Sequence, residues 1–323
     1  MLPWRDSSAE WASPNSPHDS DLAGGRCVPA AYALAVSSPT RFRWLKGHGT
    51  HNDFLLLPDH DGTVHGRLDT AFVAALCDRR AGLGADGVLR VVHAVALDDP
   101  QATDAVDQGA DWFMDYRNAD GSVSEMCGNG IRVFALHLLR EGLVSADSPL
   151  AVGTRDGVKT VSYRSDGLIS VDMGVPALGP QTWVDVDGEH LAATYVDMGN
   201  PHAVAFVEQL PAVRPLPPPG YDATVYPDGV NVELVVRQGP GQLTMRVHER
   251  GSGETSSCGT GACAVMAAAV AADGSGAAAS YHVDVPGGRL EVAWDRRTQA
   301  VLTGPAEIAA DGEMTWLGTP VTA

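Results

Sequence analysis

The chain has 323 residues, of which 44% are hydrophobic, and a formal net charge of −18 at pH 7. This length favours two domains of about 130–150 residues each, and no apolar run reaches the roughly eighteen residues that a membrane span needs. The negative charge, with only Lys46 and Lys159 as lysines, excludes nucleic acid and anionic membranes as partners.

Residues 1–40 are rich in Ser, Pro, Asp and Ala and lack periodicity, so we expect a disordered N-terminal extension without a targeting signal. From Arg41 onwards regular elements are predicted. They are strands over 42–46 and 54–57 around a turn at 47–53, a helix over 70–80, and strands over 88–92 and 111–116. A turn at 117–121 precedes the stretch Glu125-Met126-Cys127-Gly128-Asn129-Gly130-Ile131, which opens a helix to about Glu141. Strands over 160–163 and 168–173 complete this half.

The second half repeats this order. Gly199-Asn200-Pro201-His202 leads into a strand over 203–207, in the way that the turn bearing Asn52 leads into its strand. Strands over 230–234 and 243–247 then precede Ser256-Ser257-Cys258-Gly259-Thr260-Gly261-Ala262, a helix to about Ala272, and strands over 281–285, 289–294 and 300–302. The repeat predicts a duplicated α/β unit with a cleft between its copies.

Each cysteine before Gly-x-Gly is expected to lie at the N-terminus of a helix, where free backbone N–H groups and the helix dipole favour negative charge. We therefore expect a lowered thiol pKa and a carboxylate site beside each thiol. Two thiols on opposite faces of one carbon can act as general base and general acid in racemisation or epimerisation. A pyridoxal cofactor needs a Schiff-base lysine, and neither lysine has a convincing setting, so no cofactor is expected.

The remaining cysteines have simpler interpretations. Cys77 and Cys263 lie among apolar residues at helical spacing and are expected in the core. The odd number of five cysteines argues against a disulfide framework and favours a reduced, cytoplasmic protein. No paired Cys-x-x-Cys is present, so no metal site is expected.

These segments resemble diaminopimelate epimerase, a cofactor-independent isomerase of L-lysine and peptidoglycan precursor synthesis. The resemblance spans about residues 41–305 and rests on motifs in the family's order. They are Gly49-Thr50-His51-Asn52-Asp53-Phe54, Gly84-Ala85-Asp86-Gly87, Asn118-Ala119-Asp120-Gly121-Ser122, Gly199-Asn200-Pro201-His202, Gly229-Val230-Asn231, Glu249-Arg250-Gly251 and the two cysteine stretches. The family implies epimerisation of LL-2,6-diaminopimelate to the meso form. It also implies an α/β fold of two pseudo-symmetric domains, each a barrel-like mixed sheet around a central helix, with the active site in the cleft.

The resemblance also implies roles for individual residues. Cys127 and Cys258 would be the acid–base pair, supported by Glu249 and His202. Substrate would be bound by Asn52, Asn118, Gly128, Asn129, Asn200, Asn231, Glu249, Arg250, Gly259 and Thr260. Arginine suits the distal carboxylate because its planar fork pairs bidentately. Four of these asparagines lie in turns, where asparagine can also be purely structural: Asn52, Asn118, Asn200 and Asn231.

We expect an N-terminal domain over 41–172, to which 304–323 returns, and a C-terminal domain over 173–303. The chain departs from the family at Gly87, where many members have a substrate-contacting glutamine. It also departs at Ala310, where some have a dimer-forming tyrosine, so a homodimer is left open. Three alternatives remain: a proline or hydroxyproline racemase, a redox switch through a Cys127–Cys258 disulfide, and a binder without activity.

Overall fold

A computed structural model describes residues 40–274, 279–295 and 298–316. The N-terminal extension predicted over 1–40 therefore lies outside the described residues, apart from Thr40. Within the described part of the chain, no helix is long and apolar enough to cross a membrane.

Four α-helices are present among the described residues: α1 (Thr70–Cys77), α2 (Pro100–Asp107), α3 (Gly128–Arg140) and α4 (Gly259–Ala272). Asp69 caps α1 by accepting the backbone N–H of Phe72. The helix predicted over 70–80 ends three residues early, because the Asp78 carboxylate accepts the backbone N–H groups of Arg80 and Ala81 and turns the chain. Helices α3 and α4 begin directly after the two cysteines, as predicted.

Eighteen strands make up the sheet network of the described residues. Those of the first half are β1 (Thr40–Gly49), β2 (Asn52–Pro58), β3 (Gly87–His93), β4 (Trp112–Asn118), β5 (Leu150–Thr154), β6 (Gly157–Tyr163) and β7 (Ile169–Asp172). They are followed by β8 (Ala177–Val186), β9 (Glu189–Asp197), β10 (Pro201–Phe206), β11 (Gly220–Tyr221), β12 (Asn231–Gly239), β13 (Gln242–Glu249) and β14 (Gly253–Thr255). The last four are β15 (Ala279–Val285), β16 (Gly288–Trp294), β17 (Val301–Gly304) and β18 (Glu307–Trp316).

The strand pairings repeat between the halves. In the first half β2 runs parallel to β3, β3 antiparallel to β4, β4 parallel to β5, and β5 antiparallel to β6. In the second half β10, β12, β13, β15 and β16 pair in the same sequence of directions. The C-terminal strand β18 pairs with β1 as β8 pairs with β9, and β7 joins β17 across the halves. The predicted duplication is therefore present as a mixed α/β fold with two repeated units.

Each of the two long helices is enclosed by the strands of its own half. Helix α3 packs against β1, β2, β3, β7 and β18, and α4 packs against β9, β10, β12, β15, β16 and β17. Their side chains belong to one continuous hydrophobic core, which also takes Cys263. Cys77 is buried in a second cluster around α1. The prediction that both of these cysteines are core residues is confirmed.

Candidate active site

The two cysteines occupy equivalent positions at the ends of α3 and α4. Each is the N-cap residue with an extended backbone, and each sulfur accepts the backbone N–H three residues on, from Gly130 or Gly261, at 3.4 Å. Cys127 is partly exposed and Cys258 is buried. The local sequence dictates this arrangement, because an N-cap acceptor satisfies a helix-end N–H that has no other partner.

The two helix ends touch through the glycines that follow the cysteines. A Cβ atom built on Gly259 would lie 3.1 Å from the Cα of Gly128 and 3.0 Å from the Leu302 side chain. Any larger residue would force the two ends apart. Two stretches that are 131 positions apart in the chain therefore meet at one place, as a site shared by both cysteines would require.

Asn129 links the two cysteine stretches. Its Nδ2 donates to the backbone carbonyl of Ser257 at 3.0 Å and to Asn52 Oδ1 at 3.2 Å, while its Oδ1 accepts from Arg132 Nη2 at 2.9 Å. The residue is 1% exposed. Thr50 reinforces the link, since its hydroxyl donates to Ser257 Oγ at 2.6 Å. The side chain of Asn129 is thus fully engaged within the protein, which leaves its backbone as the part that can face a ligand.

On the first half, Asn52 and Asp86 lie beside Cys127. Asn52 Oδ1 lies 3.6 Å from the Cys127 sulfur, and Asn52 Nδ2 donates to Asp86 at 2.8 Å. Asn118 lies at the end of β4 and donates to Ser122 Oγ at 3.0 Å. A side chain at Gly87 would lie 2.5 Å from the Arg117 carbonyl and 2.8 Å from the Tyr116 ring. This position is therefore closed to the glutamine that the family pattern suggests.

On the second half, polar side chains surround Cys258. His202 is fully buried, with Nδ1 2.7 Å from Glu233 Oε1 and Nε2 3.0 Å from Asn200 Oδ1. Glu249 accepts a short hydrogen bond from the Thr255 hydroxyl. The Cys258 sulfur lies 3.4 Å from the hydroxyl of Thr260.

Asn231 and Arg250 form the outer part of this half. Asn231 is buried, donates from Nδ2 to the Pro201 carbonyl at 3.0 Å and accepts the backbone N–H of Arg250 at 3.0 Å. The Arg250 side chain is exposed. A site built this way has fixed amides at its wall and an exposed guanidinium at its edge.

The expectation that the helix ends lower the thiol pKa values is wrong. Burial raises the pKa of Cys127 to about 11, and the N–H of Gly130 opposes this only in part. Burial, and next the charge of Glu249, raise the pKa of Cys258 well above its ordinary value. Loss of hydration penalises the thiolate more than the helix end stabilises it. Burial also raises the pKa of Glu249.

The structure adds residues that the sequence did not single out: Thr50, Tyr116, Arg132, Glu233 and Ser257. Arg132 is fully buried and holds the carbonyls of Gly128 and Pro305. Its position on the apolar α3 helix, one turn after Cys-Gly-Asn-Gly, was a usable signal, because a charged residue in such a helix needs a specific partner. Tyr116 and Glu233 lie in strand patterns that carry no comparable signal.

Known proteins match this chain over most of its length. The family model described as diaminopimelate epimerase matches residues 44–179 and 194–309. The diaminopimelate epimerase of Streptomyces coelicolor is 53% identical over 289 residues, which cover 86% of this chain and 98% of that protein. That of Thermobifida fusca is 51% identical, covering 84% of this chain and 97% of the other.

Among solved structures, a Bacillus anthracis phenazine biosynthesis protein of the PhzF family matches with a TM-score of 0.61 and 16% identity, covering 85% of this chain and 99% of that one. A hydroxyproline epimerase from Agrobacterium vitis, with bound trans-4-hydroxy-L-proline, matches with a TM-score of 0.60 and 13% identity, covering 86% and 94%. At these identities the likeness concerns the fold.

Proposed function

This chain belongs to the diaminopimelate epimerase family, and we propose that it converts LL-2,6-diaminopimelate to the meso form with Cys127 and Cys258 as the two acid–base groups. The observation that carries the proposal is the close approach of Gly128 and Gly259, which brings the N-termini of α3 and α4, each capped by a cysteine, into contact. The substrate is a small molecule of L-lysine and peptidoglycan precursor synthesis, and the reaction needs no cofactor.

Every proton that moves in this mechanism has a named donor and a named acceptor. A thiolate at one cysteine removes the α-hydrogen as a proton, and the electron pair spreads from the carbon onto the α-carboxylate. The thiol of the other cysteine then gives its proton to the opposite face of the carbon. The two cysteines exchange protonation states, and exchange with water restores them before the next turnover. Fixed groups on opposite faces are the requirement for such acid–base catalysis.

In this mechanism the N-terminal ends of the two helices stabilise the carbanion. We assign the backbone N–H groups at Gly128, Asn129, Gly259 and Thr260 to the α-carboxylate, because they lie at the N-termini of α3 and α4, where the positive ends of the helix dipoles favour negative charge. Because these dipoles are fixed before the reaction, they need no rearrangement as charge develops. The carboxylate is thus held where its negative charge grows.

The remaining predicted residues are assigned to the rest of the substrate. We place the α-ammonium near Glu249 and His202, where a carboxylate can pair with it, and Asn52, Asn118, Asn200 and Asn231 along the wall. Arg250 is assigned to the distal carboxylate, because its exposed guanidinium, which donates from Nη1 to the Asp228 carbonyl at 3.4 Å, has further donors that can pair with a carboxylate.

The proposal extends to the setting of the enzyme. We place it in the cytoplasm, where thiols stay reduced. The domains over 41–172 and 173–303, with the C-terminal segment returning to the first, are supported by the pairing of β18 with β1. A homodimer stays a prediction that light scattering can test.

Deuterium incorporation from D2O at the α-carbon of diaminopimelate tests the mechanism, with Cys127→Ala and Cys258→Ala as variants. We expect both to abolish epimerisation. Cys263→Ala makes the same chemical change at a buried core thiol of α4 and should retain activity. Epimerisation at the normal rate by either of the first two variants would refute the paired-thiol assignment. A preference for proline over diaminopimelate would refute the substrate.

A further inference from the structure

The two helix ends rest on chemically different supports, although the strands beneath them are equivalent. In β2 and β3, Phe54 is opposite Gly87, and in β10 and β12, His202 is opposite Asn231. This register makes Phe54 the counterpart of His202. Two residues further along β3 and β12, it makes Leu89 the counterpart of Glu233.

The contacts at the helices confirm that these counterparts occupy the same places. A Cβ atom built on Gly130 in α3 would lie 3.3 Å from the Leu89 side chain and 3.5 Å from the Phe54 ring. A Cβ atom on the equivalent Gly261 in α4 would lie 2.7 Å from Glu233 Oε1. An apolar pair therefore supports the end of α3, and a carboxylate with an imidazole supports the end of α4.

Glu233 is held where a carboxylate is costly. Its side chain has 0% exposure, and its Oε2 has no hydrogen-bond partner among the described residues. Leaving a buried polar atom unpaired is unfavourable. Leu89 fills the counterpart position with none of this cost, so packing does not explain the carboxylate. The hydrogen bond between Glu233 Oε1 and His202 Nδ1, at 2.7 Å, explains why a carboxylate occupies this position.

The hydrogen bonds of His202 fix where its protons lie. Asn200 Oδ1, 3.0 Å from Nε2, can only accept, so Nε2 carries a proton. Nδ1 faces the carboxylate, so a second proton lies between Nδ1 and Oε1. With Oδ1 turned inward, the Nδ2 group of Asn200 is left free to donate, and it bonds to no described residue. The chain of contacts therefore runs from Glu233 through His202 to Asn200.

We propose that Glu233 is a positioning residue, which holds the His202 ring at Nδ1 with a proton on Nε2 and thereby orients Asn200 with its amide N–H groups towards the substrate. The proposal rests on the proposed function, because Asn200 acts on substrate only there. A neutral His202 ring with its proton on Nδ1 would accept at Nε2, and Asn200 would turn its Nδ2 inward. The substrate would then meet a carbonyl oxygen instead of a donor.

Other titratable groups face this pair and belong to its proton balance. The charge of Glu233 raises the pKa values of Glu249 on β13, Cys258 at the start of α4 and Tyr226, while His202 lowers that of Glu249. No cationic side chain other than His202 hydrogen-bonds to Glu233 among the described residues. The proton shared with His202 is thus what offsets the buried negative charge.

Glu233→Gln and Glu233→Leu test the proposal. Glutamine keeps the size and can still accept from Nδ1, but it removes the charge. Leucine is the residue that the first half has at the counterpart position, Leu89. We expect both to raise KM and to lower kcat/KM by about 10- to 100-fold, the loss typical when the outer partner of a functional histidine is removed at metal sites. Glu233→Leu removes only one partner of a buried pair, which is destabilising when the other partner stays charged, so circular dichroism must show that this variant is folded before its kinetics are read.

A spectroscopic readout separates positioning from simple structural damage. Nitrogen-15 NMR of histidine-labelled protein reports the protons on His202, whose signals are assigned by their loss in His202→Asn. We expect Nε2 of His202 to be protonated in the wild type and to lose that proton in Glu233→Gln, where Nδ1 can donate to the glutamine oxygen instead. Glu254→Gln is the matched control, because it removes another partly buried carboxylate of the same half, bonded to Arg246, without contact to His202. Its His202 signals and KM should match the wild type.

A His202 without a proton on Nε2 in the wild type, or unchanged signals and KM in Glu233→Gln, would overturn the proposal. If Glu233→Leu fails to fold, Glu233→Gln carries the test. Because the NMR measurement needs no turnover, failure of the positioning role is distinguishable from failure of the proposed reaction. That second failure would appear as a wild-type enzyme that does not epimerise diaminopimelate.

Discussion

Replacing Asn129 by alanine should destabilise the protein strongly, although the residue is a small polar side chain next to a cysteine. The change removes hydrogen bonds to Ser257 and Asn52 and the bond from Arg132, all between 2.9 and 3.2 Å. At about 1 kcal/mol for each neutral bond and about 2 kcal/mol for the charged one, the expected loss in the free energy of unfolding is about 4 kcal/mol. The corresponding fall in Tm is about 8 °C, at roughly 2 °C per kcal/mol for a chain of this size.

Thermal unfolding monitored by circular dichroism, together with urea titration, measures this loss. Asn118→Ala is the control, since Asn118 lies at the end of β4 and its side chain bonds, among the described residues, to Ser122 alone. Its free energy of unfolding should change by less than about 0.5 kcal/mol. A loss below about 1 kcal/mol for Asn129→Ala would refute the reasoning that this amide joins the two cysteine stretches.

The effects on activity should also distinguish Asn129 from Asn118, one through kcat and the other through KM. Below its Tm, Asn129→Ala should lose kcat, because the two helix ends are no longer held in register. Asn118→Ala should keep its stability and raise KM, because its side chain makes one exposed hydrogen bond, to Ser122, among the described residues and is assigned to the substrate in the proposed function. Steady-state kinetics at a temperature where both variants are folded make the comparison.

Three further predictions concern charge and packing. Glu249→Gln removes a negative charge that raises the thiol pKa values. The pH profile of iodoacetamide alkylation at Cys127, measured by mass spectrometry, should therefore move to lower pH. A profile at the same pH as in the wild type would contradict this prediction. Burial lowers the pKa of His137 to about 4, so the unfolded state binds more protons between about pH 6.5 and 4 and the protein should lose up to about 3 kcal/mol there on acidification. His137→Leu should flatten that part of a stability–pH curve. Gly259→Ala should cost about 1–3 kcal/mol by overpacking and lower kcat, whereas Gly239→Ala, with open space around it, should do neither.

Local patterns allowed the sequence to predict the helix starts at Cys127 and Cys258. An N-cap acceptor, glycines and an apolar run act within one helical turn, so the signal is contained in a few residues. The pattern Asp99-Pro100 was an equally local signal for α2, with an N-cap and a proline at the first helical position, and it was overlooked. Strands β8 and β18 carry mostly exposed residues along their length, so no apolar alternation marked them.

The sign of the thiol pKa shift could not be predicted from local residues. Proximity to a helix end is visible in the sequence, whereas burial depends on residues far along the chain. Cys127 is covered by the meeting of two halves, and the resulting loss of hydration outweighs the helix end. The same limit applies to Asn129 and Asn118, which resemble each other as turn residues and differ only in what the fold places opposite their amides.

The raised thiol pKa values suit the reaction that the family performs. At pH 7, forming a thiolate at Cys127 with a pKa of about 11 costs about 5 kcal/mol, so both thiols are neutral in the absence of substrate. A thiolate of such high pKa is, however, a stronger base than an ordinary one, and the α-hydrogen it must remove is a very weak acid. The α-ammonium of a bound substrate supplies the missing positive charge and lowers the thiol pKa at the moment of use. Burial therefore makes the thiolate a stronger base but lowers the fraction of the thiol that is ionised. The bound substrate raises that fraction only when the reacting carbon is in place.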